Sequence, residues 1–130
     1  MKRLSLLALF ALLVTAPAVL AAPASPFTGP WRSIDSGDGS AQSLSIAGGA
    51  KVQMNYVDHY GSICVDNSAP TNVFEGSLTA VRSGNVLTAT WKSAHCGRVR
   101  FDVSGWGPWV LTYDSGTNTL GDGVDTWSRP

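Results

Sequence analysis

Little of this chain carries charge, and what it has is balanced. Nine Lys and Arg stand against nine Asp and Glu in 130 residues, and Glu75 is the one glutamate. No basic stripe exists, so the electrostatic footprint of a nucleic-acid or anionic-membrane binder is missing. Histidine occurs only at His59 and His95, and cysteine only at Cys64 and Cys96. The cysteines are not in a Cys-x-x-Cys arrangement, which removes the redox-motif reading. Serines are abundant, yet none lies in Gly-x-Ser-x-Gly, and no nucleophile, base and orienter stand out together. Beyond the first 24 residues no window keeps a 3.6-residue period, no repeat of 20–50 residues is visible, and no second domain is marked. These absences lead to the expectation of a non-enzymatic domain without metal or cofactor.

What is present begins with an export signal. Met1-Lys2-Arg3 is cationic, Leu4 to Val14 is apolar apart from Ser5, and small residues with prolines follow from Pro17 to Ala24. That is the three-part pattern of a secretory signal peptide, with cleavage after Ala21 or Ala24. The apolar run of about 11 residues is too short for a bilayer core that needs about 20. Residues 1–24 are therefore assigned to the signal and 25–130 to one domain, expected to be secreted, extracellular or periplasmic. Lys2 and Arg3 leave with the signal, so seven cations remain against nine acids, a net −2. In an oxidising compartment Cys64 and Cys96 are expected to form one disulfide. Closing a loop of about 33 residues contributes on the order of 3–4 kcal/mol in the chain-entropy account.

The rest reads as strands and turns. Leu44 and Ile46 alternate with serines; Val52, Met54 and Tyr56 alternate with Gln53 and Asn55; Phe74, Gly76, Leu78 and Ala80 share a face. Leu87, Ala89 and Trp91 follow, then Val99, Phe101 and Val103, then Trp109, Leu111 and Tyr113. Ser36-Gly37-Asp38-Gly39-Ser40, Gly48-Gly49, Ser83-Gly84 and Asp114 to Asn118 carry turn chemistry. Residues 59–71 form the least regular stretch, expected as a long loop with a short strand near Ile63. Strands spaced by about 8–12 residues predict an all-β, antiparallel, up-and-down barrel of about eight strands.

Two residue clusters bracket the domain: Gly29-Pro30-Trp31 on the first strand and Trp127-Ser128-Arg129 on the last. An indole and a guanidinium so placed can stack across the closing seam of a barrel. On Gly29-x-Trp31 and Arg129 the chain resembles the calycin-type barrels: lipocalins, fatty-acid-binding proteins, avidins and bacterial metalloprotease inhibitors. Trp31 through Asp38-Gly39-Ser40 to Leu44-Ser45-Ile46 is avidin-like in outline. The whole mature chain also resembles small secreted bacterial proteins with a Gly-x-Trp start, one cysteine pair and a Trp-x-Arg end. The resemblance implies a barrel with Trp31 at its floor and Arg129 packed over it, and Trp127 beside them as a structural residue.

An eight-stranded barrel is wide enough to be filled or to hold one small ligand. The inward candidates, Leu44 through Tyr113 in the alternations above, are mostly bulky, which predicts a mostly filled interior with recognition on loops or one open end. Trp106 and Trp109, flanking Gly107-Pro108, are the foremost binding candidates; they serve either as a stacking platform or as a lid. His59 and Tyr60 are further candidates. His59 and His95 with Asp58 or Asp66 lack the tight spacing of a zinc site, and the Asp35 and Asp122 turns lack a full calcium-loop pattern. Three functions are expected in order: a binding module recognising an extracellular protein or glycan through barrel-end loops, a carrier of a small apolar ligand, and an inhibitor of an extracellular protease using Ser25 to Pro30.

Overall fold

The computed structural model describes residues 24–49 and 51–130. The signal-peptide assignment falls outside the described residues, apart from Ala24. Among the described residues nine strands and one short helix follow in order: β1 (Gly29–Ile34), β2 (Ala41–Ala47), β3 (Val52–His59), α1 (Ser62–Asp66), β4 (Val73–Ser83), β5 (Val86–Cys96), β6 (Val99–Arg100), β7 (Trp109–Asp114), β8 (Thr119–Gly121) and β9 (Thr126–Trp127). All pairings are antiparallel, in the order β1-β2-β3-β4-β5-β7-β8-β9, with β6 also on β5. The two ends meet where Arg32 and Ser128 exchange backbone hydrogen bonds of 2.8 and 2.9 Å. The fold is thus an up-and-down antiparallel barrel, with Cys64 and Cys96 joined in its single disulfide.

Several strands differ from the expectation, each for a local reason. Arg98 to Val103 has the cleanest alternation, yet only Val99 and Arg100 pair with β5. The chain leaves β5 after Phe101, whose N–H still reaches the Ala94 carbonyl at 2.9 Å, and rejoins it at Trp109 opposite Ala89. β6 and β7 are two pieces of one barrel strand, interrupted by a loop through Ser104–Pro108. The expected strand near Ile63 is instead the helical turn α1. The β2–β3 connection is longer than Gly48-Gly49, because the last pair of the hairpin is Ala47 with Gln53.

β5 runs on to Cys96, through residues expected to be a connection. A bulge makes this possible. Leu78 faces Trp91 but Ser77 faces Ser93, so Lys92 is extra. An extra residue reverses the alternation beyond it. Trp91 points inward in step with Leu87 and Ala89; beyond the extra residue Ala94 and Cys96 point inward, and His95 is turned to the outer face beside Glu75.

The barrel interior divides along its length. The end holding Trp31 is filled by Phe27, Leu44, Ile46, Met54, Leu78, Leu87, Leu111 and Leu120, all buried. Trp31 is fully buried, and the Arg129 guanidinium lies 3.7 Å from its ring centre. Arg129 also donates to the carbonyls of Pro26, Thr28 and Pro30, and the Trp31 indole donates to the Phe27 carbonyl at 2.7 Å. This straps residues 26–30 across the end, with Phe27 as a plug. Arg82 caps the Phe27 ring from outside at 5.5 Å. The opposite end is built differently: Phe74, Ala94 and the disulfide form a second cluster. Phe101 and Val103, expected inside the barrel, pack on this cluster from the excursion after β6 instead.

Candidate functional site

The end away from Trp31 is open and hollow. A cavity of about 360 Å³ is lined by Gln42, Tyr56, Asp58, Phe74, Trp91, Trp109 and Trp127 from inside the barrel and by Asp35, Asp38, Ser62, Ile63, Trp106 and Asp122 from the loops. This corrects the expectation of a mostly filled interior, since ligand sites start at about 300 Å³. Bulk is not the same as filling. The large side chains of this half are aromatic, and flat rings set edge to face along the walls leave the centre free.

Tyr56 is the hub of those walls. Its ring meets Phe74, Trp91, Trp109 and Trp127 at centroid distances of 5.8, 6.0, 5.5 and 6.0 Å, all edge-on. Trp91 and Trp109 stack at 6.1 Å. Trp106 returns over them from the excursion, stacked on Phe74 at 6.3 Å and edge-on to Trp91 at 5.1 Å. It is half-buried, part of the wall with one side to the opening. Four of the five tryptophans of the chain line this one bowl.

Gly76 is what lets Trp91 lie flat along the wall. A Cβ built at Gly76 would stand 2.3 Å from Cζ3 of Trp91, well inside contact distance. Gly76→Ala is expected to displace the indole and lower stability by about 1–3 kcal/mol. Near-ultraviolet circular dichroism of the variant should lose part of the wild-type tryptophan signal; an unchanged spectrum would show that Trp91 does not depend on this glycine.

The polar half of the lining comes from strand ends and turns. Asp35 accepts from the Gly37 N–H and from Gln42 Nε2; Asp38 accepts from the N–H groups of Ser40 and Ser62. Asp122 accepts from the N–H groups of Val124 and Asp125 and from both indole N–H groups, Trp109 at 3.3 Å and Trp127 at 3.2 Å. These three carboxylates are well served by donors. Asp58 is not. Asp58 and Gln42 are direct cross-strand partners, each about 6% exposed, and Asp58 Oδ1 and Gln42 Oε1 have no hydrogen-bond partner among the described residues. The Ser40 hydroxyl sits near Asp38 and Asp58 without closing a full hydrogen bond to either.

The electrostatics follow from this geometry. Ser40 (through its side chain and then its N–H) and the Ser62 N–H hold Asp38 below the usual carboxyl range. Burial pushes Asp58 above it, and the negative charges of Asp38 and Asp35 add to the effect. Burial raises the Tyr56 phenol as well, so it stays neutral. Because the folded pKa of Asp58 lies above its unfolded value, its ionisation opposes folding. That penalty sets in as pH rises through the unfolded value and is complete above the folded one. Asp58→Asn is therefore expected to stabilise the protein at neutral pH by about 1 kcal/mol. The gain should vanish near pH 3, where both side chains are neutral. Urea unfolding of the two proteins across that range checks it, and a variant less stable than wild type at pH 7 would contradict it.

Of the residues singled out from sequence, Trp106 and Trp109 line the bowl, and Trp127 forms part of its wall as well as of the core. His59 and Tyr60 lie outside it: His59 is exposed on the outer face of β3, and Tyr60 is 76% exposed in a left-handed turn. His95 stands on the outer face with Nδ1 3.7 Å from Glu75. Among the described residues no three His, Cys, Asp or Glu side chains gather to hold a metal ion. Gln42, Tyr56 and Trp91 are among the lining residues that the sequence does not mark as a site, and it offers Asp58 only beside His59 and His95 as a zinc ligand. The signal for Asp58 and Gln42 was present: each occupies an inward position of an alternating strand, where a polar side chain is out of place. No family model, no curated protein and no solved structure matches this chain.

Proposed function

We propose that this is an exported, non-catalytic binding protein that takes one small ligand, or one projecting group of a protein or glycan, into the bowl at its open end. The observation that carries this is a pair of buried, unpartnered oxygens, on Asp58 and Gln42, inside an aromatic cavity of about 360 Å³. Buried polar atoms without partners are uncommon in native folds and costly. An aromatic pocket with a few convergent polar groups is the usual form of a small-molecule site.

The loops at the barrel end contribute as a binding module would. Asp38, Ser62, Ile63, Trp106 and Asp122 come from four different connections. The carboxylates weigh against a purely apolar cargo. The inhibitor reading depended on a free lead-in, and residues 26–30 are strapped beneath Arg129. The disulfide suits an oxidising compartment, and among the described residues no helix is long and apolar enough to cross a membrane.

Native mass spectrometry of protein recovered from its own secretions is the direct test. A bound mass in the wild type that is lost from Trp106→Ala is expected. A bound mass that survives in both Trp106→Ala and Asp58→Asn would place recognition elsewhere.

A further inference from the structure

We propose that the bowl selects an organic cation with N–H donors, a primary ammonium or guanidinium on an apolar stem, and seats its head group on Asp58 Oδ1 and Gln42 Oε1. This rests on the bowl being the ligand site and adds the charge and hydrogen-bonding chemistry of what enters it.

The orphaned atoms define the chemistry first. Both are oxygens, and both belong to residues directly opposed on β2 and β3. The Gln42 amide cannot turn its nitrogen inward without giving up its hydrogen bond to Asp35, where Nε2 donates at 3.1 Å. The Ser40 and Tyr56 hydroxyls lie near Asp58, yet neither facing oxygen receives a full hydrogen bond, and such a pair calls for a ligand that donates twice, which an ammonium or a guanidinium does.

Charge selects among donors. Asp35, Asp38, Asp58 and Asp122 line the bowl, and among the described residues no Lys or Arg does. The donors already held by Asp35, Asp38 and Asp122 are neutral N–H groups, so their negative charge is not cancelled. An anion is repelled, a neutral hydroxyl leaves the field uncompensated, and a cation is drawn in. The walls agree with the floor, because the faces of Trp91, Trp109 and Tyr56 attract cations through their quadrupoles. The carboxylates are spread around the cavity and do not converge on a point. That spacing suits a diffuse organic cation rather than a hard metal ion, which needs six or more oxygens close in.

The test is calorimetric titration, with tryptophan emission in parallel, using four probes on the same two-carbon stem: phenethylammonium, phenethyltrimethylammonium, 2-phenylethanol and phenylacetate. Phenethylammonium is expected to bind at least tenfold more tightly than 2-phenylethanol, and phenylacetate not to bind. Phenethyltrimethylammonium, which lacks N–H donors, should be weaker than phenethylammonium. Asp58→Asn, which keeps the shape and relieves a buried charge, should fold at least as well as wild type. It should lose phenethylammonium binding tenfold or more while keeping its weak affinity for 2-phenylethanol. Nα-acetyl-lysine amide and Nα-acetyl-arginine amide distinguish the sources: tighter binding than phenethylammonium marks a partner's side chain, weaker binding a free amine. Equal affinity for alcohol and ammonium, or full ammonium affinity in Asp58→Asn, overturns the cation assignment and leaves the bowl as a site. Failure of every probe to give heat or to change emission overturns both.

Discussion

Trp31→Ala is expected to lower the free energy of unfolding by about 3–5 kcal/mol, the range for deleting a large buried aromatic. Small domains are stable by only about 5–15 kcal/mol, so this is a large share of the total. The loss has several sources. The indole is fully buried, touches Tyr113 edge-on at 6.4 Å, and donates to the Phe27 carbonyl. It is also the surface on which Arg129 rests. Without it the guanidinium keeps its three carbonyl acceptors but loses the stacked face, and the Phe27 plug loses its anchor. Trp31→Phe keeps most of the volume and removes the N–H donor, so it should cost clearly less. Urea unfolding followed by far-ultraviolet circular dichroism measures both. Equal losses in the two variants would mean that the single hydrogen bond, rather than the packed ring, holds this end.

The double replacement Cys64→Ala/Cys96→Ala is expected to cost about 2–5 kcal/mol. Here the loss should be local in its structural effect as well as global in its energy. The helix α1 is five residues long with no side-chain cap, too short to be stable by itself. Apart from its chain ends, it is held by the disulfide from Cys64 to the end of β5, by the Ser62 N–H on Asp38 at 3.1 Å, and by Ile63 packed on the Phe74 and Ala94 cluster. Removing the first leaves an exposed hydrogen bond and one partly buried side chain to hold this segment against the bowl. Hydrogen exchange should therefore quicken at residues 62–69 far more than in β2 or β3. A uniform rise in exchange across all strands would indicate that the bridge stabilises the barrel as a whole and not this wall.

The legibility of the fold and of the site had different limits. Strand alternation in Leu44–Ile46, Val52–Tyr56 and Leu111–Tyr113 reports burial at once, because side chains on a strand alternate between two faces. Turn residues such as Gly84 announce themselves through a backbone only glycine adopts easily. The alternation of Val99, Phe101 and Val103 is equally regular, yet only its beginning is paired. A pattern of alternating burial records which side of a segment is covered, not whether a neighbouring strand covers it. The site was legible in its aromatic loop residues, Trp106 and Trp109. It was illegible in its depth, because volume depends on how rings are oriented and a list of bulky residues contains no orientations.

The class of the molecule is written in its residues: antiparallel strands, one disulfide, and an indole and a guanidinium to meet across the seam. These follow from local periodicity, from a cysteine count of two, and from chemistry placed at the two ends of the domain. Which end is sealed and which is hollow emerges only once the strands are packed. Packing also settles that one extra residue, Lys92, turns Cys96 inward and His95 outward, and that Asp58 and Gln42 face one another with oxygens unmet. Those outcomes arise from register and from contacts between distant segments, which pairing alone brings together.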